Sequence, residues 1–190
     1  MEFAPPYLLI ANFIFTSFIV NMIYSVKQHK EIPVSVTKKV QYIDNEFGEF
    51  TRYNVYDASG KNINVGYVDL QDTKDGVHVL YIKSQYPKLY KHFAQVADQI
   101  EVEHCLNKGL ENPYIYSVAA LGTHIMHYIR GKRFENEEVN DYFAKITKNL
   151  QKGEKILTKF LGYQKMYMPI NLINEIKEKI KIAPLLKGIK

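Results

Sequence analysis

The sequence predicts a mixed α/β fold, in which an antiparallel meander of strands precedes a strand–helix–strand unit. Three β-rich runs with a glycine-containing turn between successive runs form the meander: residues 50–56, 63–70 and 77–82. A helical pattern over 94–110 then leads to a further apolar run at 114–120. Because a helical crossover returns the chain to the same sheet, we expect the strands at 77–82 and 114–120 to pair in parallel.

Composition sets the broad class of the protein. The chain has 190 residues, of which 46% are hydrophobic and 24% charged, so it can bury a core and is not a disordered or fibrous chain. The net charge is 25 minus 20, or +5, and the basic residues do not cluster with stacking aromatics, so we expect no nucleic-acid partner. The single cysteine, Cys105, excludes an intrachain disulfide framework and fits a cytoplasmic location.

An apolar run at the N-terminus forms a separate segment in this prediction. Residues 3–26 carry no charge, and about 20 apolar residues suffice to cross a bilayer as a helix. Tyrosines stand near both ends, and lysines follow the run, which would leave the C-terminal part in the cytoplasm. We therefore divide the chain into a hydrophobic segment at 1–30 and one domain at 31–190.

The same run also fits a helix that is packed against protein. Five polar residues interrupt it, partly at a spacing of four that forms a narrow polar stripe on a helix: Asn12, Thr16, Ser17, Asn21 and Ser25. The alternatives are a membrane anchor with lipid contact through 7–26, a core or interface helix, and a strand.

The later elements are read from caps and apolar spacing. Thr123 is a candidate cap for a short helix that stops near Gly131. An amphipathic helix follows over 137–152, and Met166–Met168 is a short strand. Asn171 is the candidate cap of a last helix, and a short strand at 34–36 precedes the meander.

Two stretches of residues 50–170 resemble the GNAT superfamily of N-acetyltransferases. The stronger is SVAALGTHIMHYIRGKRF, residues 117–134, which is similar to a family strand that ends in Ala and continues into a helix, a Gly and a Phe. The other is LYIKSQY, residues 80–86, which continues into YKHFAQ at 90–95. This second stretch is similar to the family's fourth strand and its acyl-CoA loop.

The resemblance implies a GNAT-like fold and transfer of an acetyl group from acetyl-CoA, as co-substrate, to a primary amine. In the family the fourth strand splays from the fifth, and the pantetheine arm of CoA pairs with free backbone groups of the fourth strand. That role falls on Leu80 and Ile82. The pyrophosphate rests on backbone N–H groups at a helix N-terminus, where the helix dipole favours an anion. The resemblance carries this role to five residues: Lys91, His92, Phe93, Ala94 and Gln95. Glycines usual in that loop are replaced here by His92-Phe93-Ala94.

The resemblance also implies a proton donor for the departing thiolate. The family commonly uses a Tyr on the helix after its fifth strand. Counting back four residues from Gly131 gives His127, and Tyr128 follows it. One helical position is a rotation of about 100°, so register decides between them, and both stay open. No carboxylate stands out as a general base, and His124 with His127 lacks a further donor at metal-binding spacing, so we expect no metal.

Three functions remain in view from the sequence. The first is an acetyl-CoA-dependent N-acetyltransferase. The second is a catalytically inactive GNAT-like binding or structural module, which the missing loop glycines favour. The third is a membrane-tethered interaction protein with an unrelated α+β domain. The sequence leaves the acceptor amine and the oligomeric state open.

Overall fold

The computed structural model describes four ranges of the chain: residues 22–43, 48–119, 123–151 and 162–189. The predictions for residues 1–21 lie outside these ranges. The same holds for Ala120, Leu121 and Gly122 of the quoted motif. The chain divides into two compact units. The large unit contains Val20–Ser117 and Met168–Lys190, and the small unit contains Val118–Tyr167.

The predicted meander forms the centre of the large unit. Four strands pair antiparallel in chain order: β2 (Lys30–Ile43), β3 (Gly48–Asp57), β4 (Asn64–Asp72) and β5 (Gly76–Ser84). The first of these is much longer than the short strand predicted at 34–36. Residues 37–40 are exposed at every position, so they lack the alternation that identifies a half-buried strand.

The end of the N-terminal apolar run is a strand. β1 (Met22–Ser25) pairs antiparallel with β2 on one side and with β6 (Tyr90–Lys91) on the other. Its Ile23 is fully buried in the core of the large unit. One alternative for the apolar run was a helix that continues to residue 26. Residues 22–26 do not form that helix. Within the four described ranges, no helix is both long enough and apolar enough to span a bilayer.

The predicted parallel pair is confirmed. α1 (Phe93–Asn107) connects the meander to β7 (Tyr114–Ala119), and β7 pairs in parallel with β5. The strand order in the large unit is β6-β1-β2-β3-β4-β5-β7. The chain passes from β5 to β7 through α1, as a strand–helix–strand unit requires.

The core of the large unit lies between the sheet and two helices. α1 contacts β4 and β5, and it also packs against α4 (Ile170–Ile182). The buried carboxylate of Glu103 accepts hydrogen bonds from the backbone N–H groups of Leu185 and Leu186, at 2.8 and 2.7 Å. These contacts fasten the C-terminal tail to α1. Proline is favoured at helix starts, and Pro169 rather than Asn171 is the N-cap of α4, so the predicted cap was misplaced.

The small unit has its own apolar cluster. It comprises α2 (His124–Ile129), β8 (Arg133–Phe134), α3 (Glu137–Gln151) and β9 (Gln164–Tyr167), with strand order β7-β9-β8. Four buried residues from these strands and helices form the cluster: Ala119, Phe134, Phe143 and Met166. Thr123 is the N-cap residue of α2, but its side chain makes no capping hydrogen bond, which corrects that prediction.

The two units together contain every element of the predicted order: hairpins, a strand, a helix, a parallel strand, a helix and a late strand. The prediction of a mixed α/β fold is confirmed by this order and by the parallel β5–β7 pair.

Candidate functional site

β5 and β7 lie close together at the start of their pairing. Gly76 of β5 lies opposite Tyr114 of β7. A Cβ atom added to Gly76 would lie 2.1 Å from the carbonyl oxygen of Tyr114 and 2.6 Å from its backbone nitrogen. Only glycine permits such an approach of two backbones. The two strands are thus closed tightly at this end.

The pairing ends three residues later. Val79 and Ser117 form the last pair, but β5 continues to Ser84. Along 81–84 one edge of β5 stays bonded to β4. Among the described residues, no strand pairs with the other edge of β5 beyond Val79, so the N–H and C=O groups on that edge can pair with a ligand. The β5–β7 ladder therefore ends at Val79 and Ser117, and we call the part of β5 beyond it, residues 80–84, the opening.

A β-bulge at Leu80 gives this opening its physical cause. Val79 pairs with Leu70 of β4 and Tyr81 pairs with Asp69, so Leu80 has no opposite residue on β4. A bulge bends its strand and increases the local twist. It lies directly after the last β5–β7 pair, at the point where β5 leaves β7. Beyond the bulge, the side chain of Tyr81 is 58% exposed.

The beginning of α1 lies near the far end of the opening. Gly66 of β4 pairs with Ser84, and the ring of Phe93 packs directly on Gly66, where a Cβ would lie 2.5 Å from two ring atoms. The buried Phe93 ring is thus directed onto β4. The N–H groups of the first helical turn point out of the helix end, and that turn contains no acidic residue. This helix end favours an anion.

His92 precedes α1 in a left-handed backbone conformation. Its φ is 68° and its ψ is 6°, a region that glycine adopts without strain and other residues adopt rarely. The loop therefore has, at His92, a backbone shape that glycine usually provides, although the side chain differs. The side chain is directed to Gln95, with 3.2 Å between the imidazole Nδ1 and the amide oxygen.

Two further contacts fix the loop before α1. The Lys91 ammonium donates a hydrogen bond to the Pro87 carbonyl at 2.8 Å. The Tyr90 hydroxyl donates to the buried carboxylate of Asp57 at 3.1 Å, and that carboxylate also accepts from the backbone and hydroxyl of Ser59. The seven residues predicted to bind the cofactor thus lie in two segments of the large unit. Leu80 and Ile82 belong to β5, and Lys91 with residues 92–95 belongs to β6 and the start of α1.

Sequence reasoning missed Ser117. Its side chain is 7% exposed, and its hydroxyl has no hydrogen-bond partner among the described residues. The hydroxyl oxygen of Ser84 is also buried and also has no hydrogen-bond partner among the described residues. These serines mark the two ends of the stretch where β5 has left β7. The only sequence signal for Ser117 is one polar residue in an otherwise apolar and aromatic strand.

The two candidate proton donors lie next to each other on α2, in the small unit. The Tyr128 ring packs on Phe134 with ring centres 6.1 Å apart, and the Arg133 guanidinium lies 4.5 Å from the Tyr128 ring centre. His127 is half-buried at the adjacent helical position. The choice between these two residues stays a prediction. Cys105 lies in the core of the large unit, where burial raises the pKa of its thiol to about 12, so it serves packing.

Comparison with known proteins gave no match to a family and none to a curated protein. Among solved structures, a chimaeric spermidine N-acetyltransferase from Vibrio cholerae and hSSAT has 15% sequence identity and a TM-score of 0.41, covering 66% of this chain and 69% of its own. Nourseothricin acetyltransferase has 12% identity and a TM-score of 0.38, covering 80% and 86%.

Proposed function

We propose that this chain is an N-acetyltransferase, which transfers an acetyl group from acetyl-CoA to a primary amine. One observation carries the proposal: β5 separates from β7 after Val79 and Ser117, directly at the Leu80 bulge, and continues to Ser84. The pantetheine arm of CoA is an extended chain with two amide groups. Such a chain can pair with the free edge of a strand as a peptide does.

The loop and α1 determine the direction of the bound cofactor. The start of α1 lies beside Gly66, whose partner in β5 is Ser84, and this end of the opening suits the pyrophosphate. Lys91 and His92 bring side chains to the phosphates in place of some glycine backbone contacts. The thioester then lies toward the closed end, near Val79.

The reaction joins an amine to an acyl group. The amine nitrogen attacks the thioester carbonyl carbon, a C–N bond forms, and the C–S bond breaks. The thiolate leaves with the electron pair and takes up a proton, and the nitrogen loses one. The resemblance to the family assigns the proton donor to His127 or Tyr128.

A second function keeps the fold without the reaction. His92 and Phe93 stand where the family has small residues, and the His92 ring occupies space at the helix start. A loop of this kind also fits a GNAT-like binding module that no longer holds acetyl-CoA. Cofactor affinity separates the two functions.

The test is a titration of the full chain with acetyl-CoA and with CoA, followed by calorimetry and thermal unfolding. We expect saturable binding, and a stabilisation of about 2.7 kcal/mol at a hundred times the dissociation constant. A folded sample without affinity for either ligand would overturn the enzyme and favour the binding module.

The proton donor is then identified from activity, which is measured as thiol release from acetyl-CoA in the presence of a panel of primary amines. We expect one of H127A and Y128F to lower kcat by about 10²-fold or more, with acetyl-CoA affinity as in the unmodified chain. If neither variant lowers kcat, the proton donor is a different group, and this assignment is wrong.

A further inference from the structure

We propose that the Ser117 hydroxyl donates a hydrogen bond to the thioester carbonyl oxygen of the bound acyl-CoA. This inference rests on the function proposed above. It assigns a hydrogen-bond donor for the thioester carbonyl, whereas the family resemblance assigned only a proton donor for the thiolate.

The first step is the burial of the hydroxyl. Ser117 is 7% exposed, and its Oγ atom has no hydrogen-bond partner in the part of the chain that the structure describes. Leaving a hydroxyl buried without a partner destabilises a protein. Alanine at this position would avoid that cost. A ligand that brings an acceptor to the hydroxyl removes the cost as well.

The second step is the position of Ser117. It forms the last pair with Val79 before β5 and β7 separate, so it marks the apex of the opening. Side chains alternate along a strand, so Ser117 lies on the same face of β7 as Ile115, which is buried in the core beside α1. The hydroxyl is therefore at the closed end, on the side of the sheet that α1 covers.

The third step is the direction of the ligand. The phosphate end of the ligand belongs at the start of α1. There the Phe93 ring packs on Gly66, which pairs with Ser84 of β5. Ser84 is five residues beyond Val79, or about 16 Å along an extended strand. An extended ligand with its phosphates there has its opposite end, the thioester, near the apex. This places the thioester carbonyl within the region of Ser117.

The chemistry fits a hydroxyl donor. When the amine attacks, the carbonyl oxygen gains negative charge, which returns to carbonyl form as the C–S bond breaks and the thiolate leaves. A donor fixed near that oxygen stabilises the charge that develops, and burial increases the effect. The hydroxyl keeps its own proton throughout, so the balance of the reaction is unchanged.

The experiment compares S117A with S84A, a matched change of the other buried hydroxyl, which lies at the phosphate end. Affinities for acetyl-CoA and for CoA are measured by calorimetry on the full chain. CoA has no carbonyl at the sulfur, so the ratio of the two affinities reports the carbonyl contact alone. We expect S117A to reduce this ratio at least threefold and kcat at least tenfold, whereas S84A leaves the ratio unchanged. S117T, which keeps the hydroxyl, should recover part of kcat.

Stability of the ligand-free protein provides the second measurement. S117A should be as stable as the unmodified chain or more stable, because it removes an unpartnered hydroxyl. A loss of stability would show that Ser117 has a structural partner and overturn the inference. If CoA and acetyl-CoA both bind and S117A changes neither the ratio nor kcat, the inference fails while the proposed function stands. If neither ligand binds, the proposed function itself fails.

Discussion

At the scale of single residues, His92 gives the loop before α1 an unusual backbone conformation. Its backbone is left-handed, with φ at 68°. For a residue with a Cβ atom this conformation costs about 1–2 kcal/mol. Sequence reasoning identified the absence of glycine in this loop, but residue type alone does not show that the backbone still takes the glycine-like turn.

This strain predicts a difference between two small substitutions. H92G and H92A both remove the imidazole and its contact with Gln95, but only alanine keeps a Cβ in the left-handed region. We expect H92G to be more stable than H92A by about 1 kcal/mol. Chemical denaturation of both variants measures the difference. Equal stability, or a more stable alanine variant, would show that the backbone at position 92 is not left-handed in solution.

A buried histidine links three elements of the large unit. His104 of α1 lies 2.7 Å from the Tyr53 hydroxyl through Nδ1 and 2.8 Å from the Asp72 carboxylate through Nε2. A carboxylate only accepts, so Nε2–H donates to Asp72 and Nδ1 accepts from Tyr53. Lys108 also pairs with Asp72. Burial lowers the pKa of His104 below its usual 6.5, although Asp72 acts in the opposite direction.

The lowered pKa of His104 predicts that acid destabilises the fold. The unfolded chain takes up this proton near pH 6.5, whereas the folded chain takes it up only at lower pH. Stability from this group is therefore complete above pH 6.5 and is lost as pH falls toward the folded pKa, by at most about 1.4 kcal/mol per pH unit. H104Q should flatten the dependence between pH 7 and 5.5 in denaturation experiments. An unchanged slope in H104Q would assign the effect to another group.

At the scale of elements, the closed end and the bulge determine where β5 and β7 separate. Gly76 lets β5 approach Tyr114 closely, and the bulge at Leu80 then turns β5 away. These two features lie four residues apart on a single strand. One short stretch of sequence therefore fixes both the closed and the open end.

Substitution of Gly76 tests the closed end. A Cβ there would meet backbone atoms of Tyr114 that a side-chain rotation does not move, so G76A should lower the free energy of unfolding by about 1–3 kcal/mol. Urea denaturation measures the loss. A G76A variant within about 0.5 kcal/mol of the unmodified chain would mean that the two strands are further apart at this end.

Much of this element order was predictable from side-chain patterning. The alternation in 63–70 and the turn glycines located the meander, and the apolar run at 114–120 located β7. Two features were not predictable. A bulge is a one-residue shift of pairing partners, which leaves no mark in composition, so Leu80 looked like any strand residue. The outer part of β2 is exposed on both faces, so it has no alternation to detect.

At the scale of the whole molecule, all the proposed contacts with the cofactor arm and phosphates lie in the large unit. The opening, the 90–95 loop and Ser117 belong to Val20–Ser117. The chain's mild positive charge of +5 is spread through the sequence and does not select a partner. We therefore propose that anion binding depends on the helix end and on the loop rather than on net charge.

We propose above all that β5, along the edge that faces away from β4 beyond the bulge, holds the pantetheine arm of acyl-CoA. Amide hydrogen exchange of the full chain, with and without saturating acetyl-CoA, measures it directly. We expect slower exchange in two places only: amides of 81–84 that face away from β4, and amides in the first turn of α1. Unchanged exchange at 81–84 with bound acetyl-CoA, or new protection confined to β2 and β3, would contradict the account.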